Sequence, residues 1–362
     1  MKKRYLLLVC VLAALAAAAG PVEFGRQEVQ KALAERGIAA AKMKVQSELS
    51  PDPPETFRIL PGRVTGGDLR GLMYGLLEAA EQIRSRGQLR ATSGRPALGV
   101  RSLRIGIRDE DAGRGWLGSA EFWQRWFQSM ARARFNRLTL LLEDLPQEQA
   151  LEYVPTVSRI AAECALELAI GFRLEELRAR GGPSAEAAGP SALLAIKSLL
   201  IVSPSVRTVQ IWMSGEKASM VDVAFFGEWV LRAVRETGRR VTLETSGNAV
   251  APEVVDAARK SGIPIRIGVP YRGKRPAAAA GSTATDVIWQ VAQGGVSGGG
   301  AAQRDSFVRR VVAECAAAEC AGLEAEVAYA PAGPQMEGYE SWGRLAYNPK
   351  ATGAGSTQGA TR

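Results

Sequence analysis

Val206-Arg-Thr-Val-Gln-Ile-Trp-Met-Ser-Gly-Glu216 has the alternation of a β-strand with two unlike faces. Val209, Ile211 and Met213 share one side, and Gln210, Trp212, Ser214 and Glu216 share the other. The stretch lies in a series of similar units, each a short apolar strand followed by a helix. That order predicts a parallel sheet. Strands of such a sheet are covered by helices and tend to be apolar on both faces. This one keeps a polar face and runs into a carboxylate. A (β/α)8 barrel accounts for both features, because its inward face is packed low down and opens at the C-terminal mouth, where active sites sit. The expected fold class is α/β, a (β/α)8 TIM-type barrel preceded by a small α+β domain. Glu216 is the first candidate for chemistry.

Working outward, the strand-like runs are Ser102–Arg108, Arg137–Glu143, Glu167–Phe172, Arg207–Ser214, Arg240–Thr245, Pro264–Val269, Val287–Val291 and Leu323–Ala328. Helical patterns separate them, among them Glu121–Arg134, Val221–Glu236, Pro252–Lys260 and Asp305–Ala321. Eight strands over about 230 residues fit one complete barrel. Phe122, Trp123, Trp126, Phe127 and Met130 recur at helical spacing, which predicts a core stripe and not a ligand platform.

The N-terminal part is organised differently. Lys2, Lys3 and Arg4 precede an apolar run from Tyr5 to Ala19, too short to span a membrane comfortably. Small residues follow at Ala19 and Gly20, as in a secretory signal peptide over residues 1–20. The mature protein is expected outside the cytoplasm, periplasmic or extracellular, with no membrane association after cleavage. Residues 21–98 read as the α+β domain, 99–350 as the barrel, and the Gly/Ser/Thr/Ala-rich residues 351–362 as a disordered tail. In the small domain, Glu23–Arg36 is a helix, and Lys42–Glu48 and Thr56–Leu60 are strands. Asp68 caps the helix Leu69–Arg86, which Gly87 ends. Leu72, Leu76, Ala79, Ala80 and Ile83 form its apolar face.

Composition bounds the chemistry. The formal charge of +9 falls by three once Lys2, Lys3 and Arg4 leave, and the remaining basic residues are scattered. No nucleic-acid partner is expected of such a chain. The chain has no histidine, which excludes His-based triads and leaves no imidazole for a hydrolytic zinc or iron site. No metal or cofactor is expected. Acid–base chemistry falls to Asp, Glu, Tyr or Lys. Beyond the leader, the cysteines are Cys164, Cys315 and Cys320. Cys315 and Cys320 fall five apart on one predicted helix, a poor disulfide geometry, so all three read as buried apolar thiols.

Three phrases carry a family resemblance. Val64-Thr-Gly-Gly-Asp68-Leu-Arg70-Gly71-Leu-Met-Tyr74-Gly75 resembles the signature of the non-catalytic N-terminal domain of bacterial β-hexosaminidases and α-glucuronidases. Met130-Ala-Arg-Ala-Arg-Phe-Asn-Arg-Leu138 resembles the first helix and second strand of their barrels. Trp342-Gly-Arg344-Leu-Ala-Tyr347-Asn-Pro349 is similar to a phrase that follows the barrel in the α-glucuronidase-like relatives. The resemblance implies a (β/α)8 glycoside hydrolase acting on oligosaccharide or glycan. It departs from the hexosaminidase pattern at strand four, where Ser214-Gly215-Glu216 stands in place of an Asp-Glu pair.

Glycoside hydrolysis needs two carboxyl groups, one to protonate the leaving oxygen and one to attack or to activate water. Glu216 is the expected acid, with Glu244 or Glu143 as its partner. Parity places Glu244 on the face of Thr242, so both carboxyls are expected to converge on one mouth. Trp212 and Trp289 are the expected apolar walls, raising one carboxyl's pKa. Tyr271 and Arg108 are the expected ring-stacking and hydroxyl-reading groups. The competing expectation is a catalytically inactive carbohydrate-binding or scaffold barrel. A radical or redox barrel is disfavoured by the lack of a cysteine cluster, a dinucleotide fingerprint or a P-loop.

Overall fold

In the computed structural model, residues 20–180, 185–213, 219–247, 250–274, 276, 283–292, 301–330 and 333–350 are described. The leader and tail expected at residues 1–20 and 351–362 fall almost wholly outside that set, as does Glu216. The chain divides into two units, one built on residues up to Pro96, with which 162–165 group, and one on the rest.

The first unit is a four-stranded sheet with two helices. Strands β1 (Gln46–Leu49), β2 (Phe57–Leu60), β3 (Arg63–Gly66) and β4 (Thr92–Gly94) lie in the order β1-β3-β2-β4. Only the first two are legible as strands from alternation; β3 and β4 fall outside the strands expected from sequence. Helices Pro21–Glu35 and Leu69–Arg86 pack together. Asp68 caps the second, its Oδ1 accepting from the Gly71 amide at 2.6 Å. Gly87 closes it with φ at 68°. The face carrying Leu72, Leu76, Ala79, Ala80 and Ile83 is buried throughout.

The second unit is a closed ring of eight parallel strands: β5 (Val100–Ile107), β6 (Arg137–Leu142), β7 (Glu167–Arg173), β8 (Val206–Met213), β9 (Thr242–Gly247), β10 (Ile265–Pro270), β11 (Val287–Val291) and β12 (Gly322–Glu326). The α/β barrel with a preceding small α+β unit is therefore the fold. Period-two alternation sorts each strand. Leu103, Ile105, Leu140, Ile170, Val209 and Ile211 face the helical layer and are essentially unexposed. Each such side chain contributes about 1.5–3 kcal/mol relative to an exposed one. Trp123, Trp126, Phe127 and Met130 of helix Ala120–Arg132 are buried against this layer, the core role their spacing predicts. The expected helix Val221–Glu236 is interrupted, running α from Met220 to Phe225, π from Phe226 to Val230 and α again to Glu236.

The inward face is polar, and its core is ionic. Arg137, at the start of β6, reaches Glu244 of β9 at 2.7 Å and Glu324 of β12 at 3.0 Å. Gln210 of β8 donates to the same two carboxylates, at 2.6 and 3.1 Å, and Thr139 donates to Glu324 at 2.6 Å. Burial opposes the Arg137 charge, but Glu244 and Glu324 outweigh it and hold the guanidinium pKa above its usual value. Burial likewise pushes the Glu324 carboxyl up, but Arg137 and Arg104 pull it below the carboxylate range.

The cysteines differ from expectation. Cys315 and Cys320 form a disulfide, with Cα atoms 5.6 Å apart, whereas Cys164 lies outside the bridge and is buried as expected. The helix is shorter than its sequence pattern, ending at Ala317. Glu319, at φ 54°, turns the chain back, so Cys320 lies beyond the helix and within bridging distance.

Candidate functional site

At the C-terminal ends of β5 to β8 and β12, the barrel opens into a cavity of about 270 Å³. Its polar walls are the side chains of Arg104, Arg108, Glu110, Asp111, Glu143, Arg173, Trp212 and Glu326. Strand parity brings five of them together: Arg104, Arg108, Glu143, Arg173 and Glu326 continue the inward series that begins with Ser102, Arg137, Ala169 and Glu324. Two inward glycines make room. Gly106 and Gly171 flank Leu141 in register, and a methyl group on Gly106 would sit 3.1 Å from Glu143 Oε2.

Glu143 is the central acid. Arg108 Nε donates to its Oε2 at 3.2 Å, and Arg173 Nη2 donates to its Oε1. Its side chain is 13% exposed. Burial pushes its pKa up, but Arg173 and then Arg108 pull it further down, so it is ionised at neutral pH. The expectation that apolar walls raise a carboxyl pKa therefore fails at Glu143: two guanidinium groups outweigh desolvation.

Arg104 links the mouth to the ionic core. It reaches Glu324 at 3.3 Å below and Glu326 at 2.8 Å at the rim. Its guanidinium lies over the Trp212 indole, 4.3 Å from the ring centroid. Trp212 Nε1 donates to Gln210 Oε1 at 2.6 Å, so the ring is held from two sides.

Of the residues expected from sequence, Glu143, Trp212 and Arg108 meet in this cavity. Glu216 follows β8 by three positions and lies outside the described residues. Glu244 faces inward as parity requires, but it is fully buried and bound by Arg137 and Gln210. Its register partner is Gln210, one inward position below Trp212, so it lies beneath the mouth. Trp289 and Tyr271 require correction. Trp289 neighbours the inward Gln290 and so takes the opposite, helix-facing side of β11. There it stacks on Tyr271, with ring centroids 5.4 Å apart. The Tyr271 hydroxyl donates to Glu314 of the outer helix at 3.0 Å, and both rings are buried. Neither can receive a sugar.

Arg104, Arg173 and Glu326 are not among the residues expected from sequence. A signal exists for each: Leu323-Glu-Ala-Glu326 alternates, and Arg104 and Arg173 share the parity of Arg108 and Gly171. Among the described residues, no cluster of three or more His, Cys, Asp or Glu is arranged to hold a metal ion. No described helix is long and apolar enough to cross a membrane.

Neither a protein-family model nor a curated protein matches the chain. Solved structures do share its fold. A GH138 enzyme targeting pectin rhamnogalacturonan II superposes with a TM-score of 0.71 at 15% identity, over 91% of this chain and 49% of that one. CpGH84B superposes with a TM-score of 0.57 at 12% identity, over 90% and 66%. CpGH89 from Clostridium perfringens, solved with GlcNAc-α-1,4-galactose, gives 0.56 at 7% identity, over 90% and 48%. The chain thus spans about half to two thirds of these glycoside hydrolases. At such identities the likeness is one of fold.

Proposed function

We propose that the protein is an exported carbohydrate-active protein of the glycoside hydrolase type, with the barrel-mouth cavity as its site. The observation that carries the reading is Glu143, an ionised carboxylate beside Trp212 at the C-terminal mouth of a closed barrel. Held ionised, Glu143 suits the role of nucleophile or general base and not that of proton donor. The donor in this reading is Glu216, which the sequence places just past β8. A separation of roughly 5–5.5 Å between the two carboxyls would give a retaining reaction, and roughly 6.5–9.5 Å an inverting one. Arg104, Arg108 and Arg173 offer bidentate contacts to an acidic sugar, in competition with the carboxyls of Glu110, Asp111, Glu143 and Glu326 that share the lining. Fold likeness to glycoside hydrolases supports the reaction class.

Export is supported by the basic and apolar leader and by the Cys315–Cys320 bridge, which suits an oxidising compartment. The mature N-terminus is expected near Pro21. Full-length chain beginning at Met1 in the cytosol would refute export.

The deciding experiment assays the wild type against aryl glycosides and uronic-acid oligosaccharides. Glu143→Gln and Glu216→Gln should each lower turnover by about 10²-fold or more while keeping the fold. Unchanged turnover eliminates the residue concerned. A second reading, a non-catalytic carbohydrate-binding barrel, is favoured by the pairing of Glu143 and Glu326 with arginines. It takes over if the wild type binds oligosaccharide but hydrolyses none of the panel.

A further inference from the structure

A second cavity, of about 520 Å³, lies beside the mouth, between the segment after β6 and the helices Leu174–Ala179 and Ala185–Val202. Its size falls within the ~300–1,000 Å³ usual for small-molecule sites. Asp144, Gln147, Glu176 and Ser191 supply its polar lining. Its apolar lining includes Pro146 and Leu194, and Leu194 is 62% exposed although it is a large aliphatic side chain.

The two cavities share a wall. Glu143 faces the mouth, and the next residue, Asp144, lines the second cavity. Arg173 stands between them, ion-paired to Glu143 on one side and to Glu176, at 3.4 Å, on the other. The Asp144 amide donates to Glu176 Oε2 at 3.3 Å, closing the partition.

Their chemistries differ. The mouth sets three guanidinium groups against the carboxyls of Glu110, Asp111, Glu143 and Glu326. The second cavity presents the Asp144 and Glu176 carboxyls and one cation, Arg180, which donates to Leu145 O at 3.2 Å and Gln147 Oε1 at 3.4 Å. Carboxyl groups therefore outnumber cations in its lining. An anionic ligand would meet two acidic groups, whereas a hydroxyl-rich ring would find acceptors for its O–H groups and an aliphatic surface for its C–H face.

We infer that this cavity is a second carbohydrate site, selective for a neutral sugar, adjoining the arginine-bearing mouth. It deepens the glycan reading of the mouth and rests on it for the identity of the neighbouring site. The protein would then recognise a glycan in which a neutral unit lies near an acidic one. Arg173 would serve both sites by holding Glu143 and Glu176 in place.

The test is calorimetric and NMR titration of the full chain with the methyl glycosides of glucose, galactose, xylose and rhamnose, and separately with glucuronate and galacturonate. At least one neutral glycoside should bind. Leu194→Arg, at an exposed rim position, should weaken that binding by about tenfold or more while leaving uronate binding unchanged. Asp144→Asn keeps the shape and should weaken the neutral glycoside alone. Arg108→Met should do the reverse. Failure of every neutral glycoside to bind, unchanged binding in Leu194→Arg, or preference of this cavity for uronates would overturn the inference. Absence of hydrolysis by the wild type would defeat only the catalytic reading of the mouth, since these titrations need no turnover.

Discussion

Arg137→Met is the sharpest test of how this barrel is held together. The guanidinium is fully buried and pairs with Glu244 at 2.7 Å and Glu324 at 3.0 Å, both carboxylates being wholly unexposed. Removing one partner of a buried ion pair strands the other charge and costs about 3–5 kcal/mol. For a unit of this size, each kcal/mol lowers Tm by about 2–4 °C, so the loss should be about 6–20 °C. The pH dependence carries a further sign. In the wild type the Glu324 pKa is depressed in the folded state, mainly by Arg137 and then Arg104 against the opposing effect of burial. Its contribution is present above the unfolded carboxylate value of about 4.3 and is lost as pH falls through the lower folded value. In Arg137→Met the largest group opposing burial is gone and Arg104 alone remains as a facing charge, so the protonated acid is favoured more than in the wild type. The variant should therefore be more strongly destabilised, relative to wild type, at about pH 8 than at about pH 5. Circular dichroism melts at both pH values, with Arg137→Lys as the charge-keeping control, measure this. A Tm loss under about 2 °C, or an equal loss at both pH values, would refute the reasoning.

Arg173→Met removes the main group depressing the Glu143 pKa. The acid limb of the kcat/KM profile should lie below about pH 4.3 in the wild type and move upward in the variant; an unmoved limb would remove Glu143 from the reaction. Gly106→Val adds bulk 3.1 Å from Glu143 Oε2, and should lower turnover at near-wild-type secondary structure, checked by paired kinetics and circular dichroism. Cys315→Ala with Cys320→Ala opens a short loop and should cost about 2 kcal/mol on chain-entropy grounds, read as a lower denaturation midpoint. Thiol titration of the denatured, leader-free protein should find Cys164 alone; three thiols would refute the bridge.

The barrel was legible in the sequence because its signals are local. Alternation such as Val209, Ile211 and Met213 against Gln210 and Trp212 is imposed by the pleat, and the intervening helices keep their own period. The Asp68 cap and the Gly87 stop are likewise decided within a few residues. Parity also sent Glu143, Trp212, Arg108 and Glu244 to the inner face. Depth along the barrel was not legible, because it depends on the stagger between strands. Register sets Glu244 beside Gln210, beneath the mouth, and leaves Glu143 at the opening. Trp289 and Tyr271 look like sugar platforms by residue type, but position on β11 and just past β10 turns them toward the helical layer. The cysteines needed to know where a helix ends: Ala317 stops it, and the turn at Glu319 brings Cys320 back to Cys315. Charge state was decided by tertiary contact as well. Residues distant in sequence, Arg108 and Arg173, converge on Glu143 and set its ionisation, which periodicity does not encode.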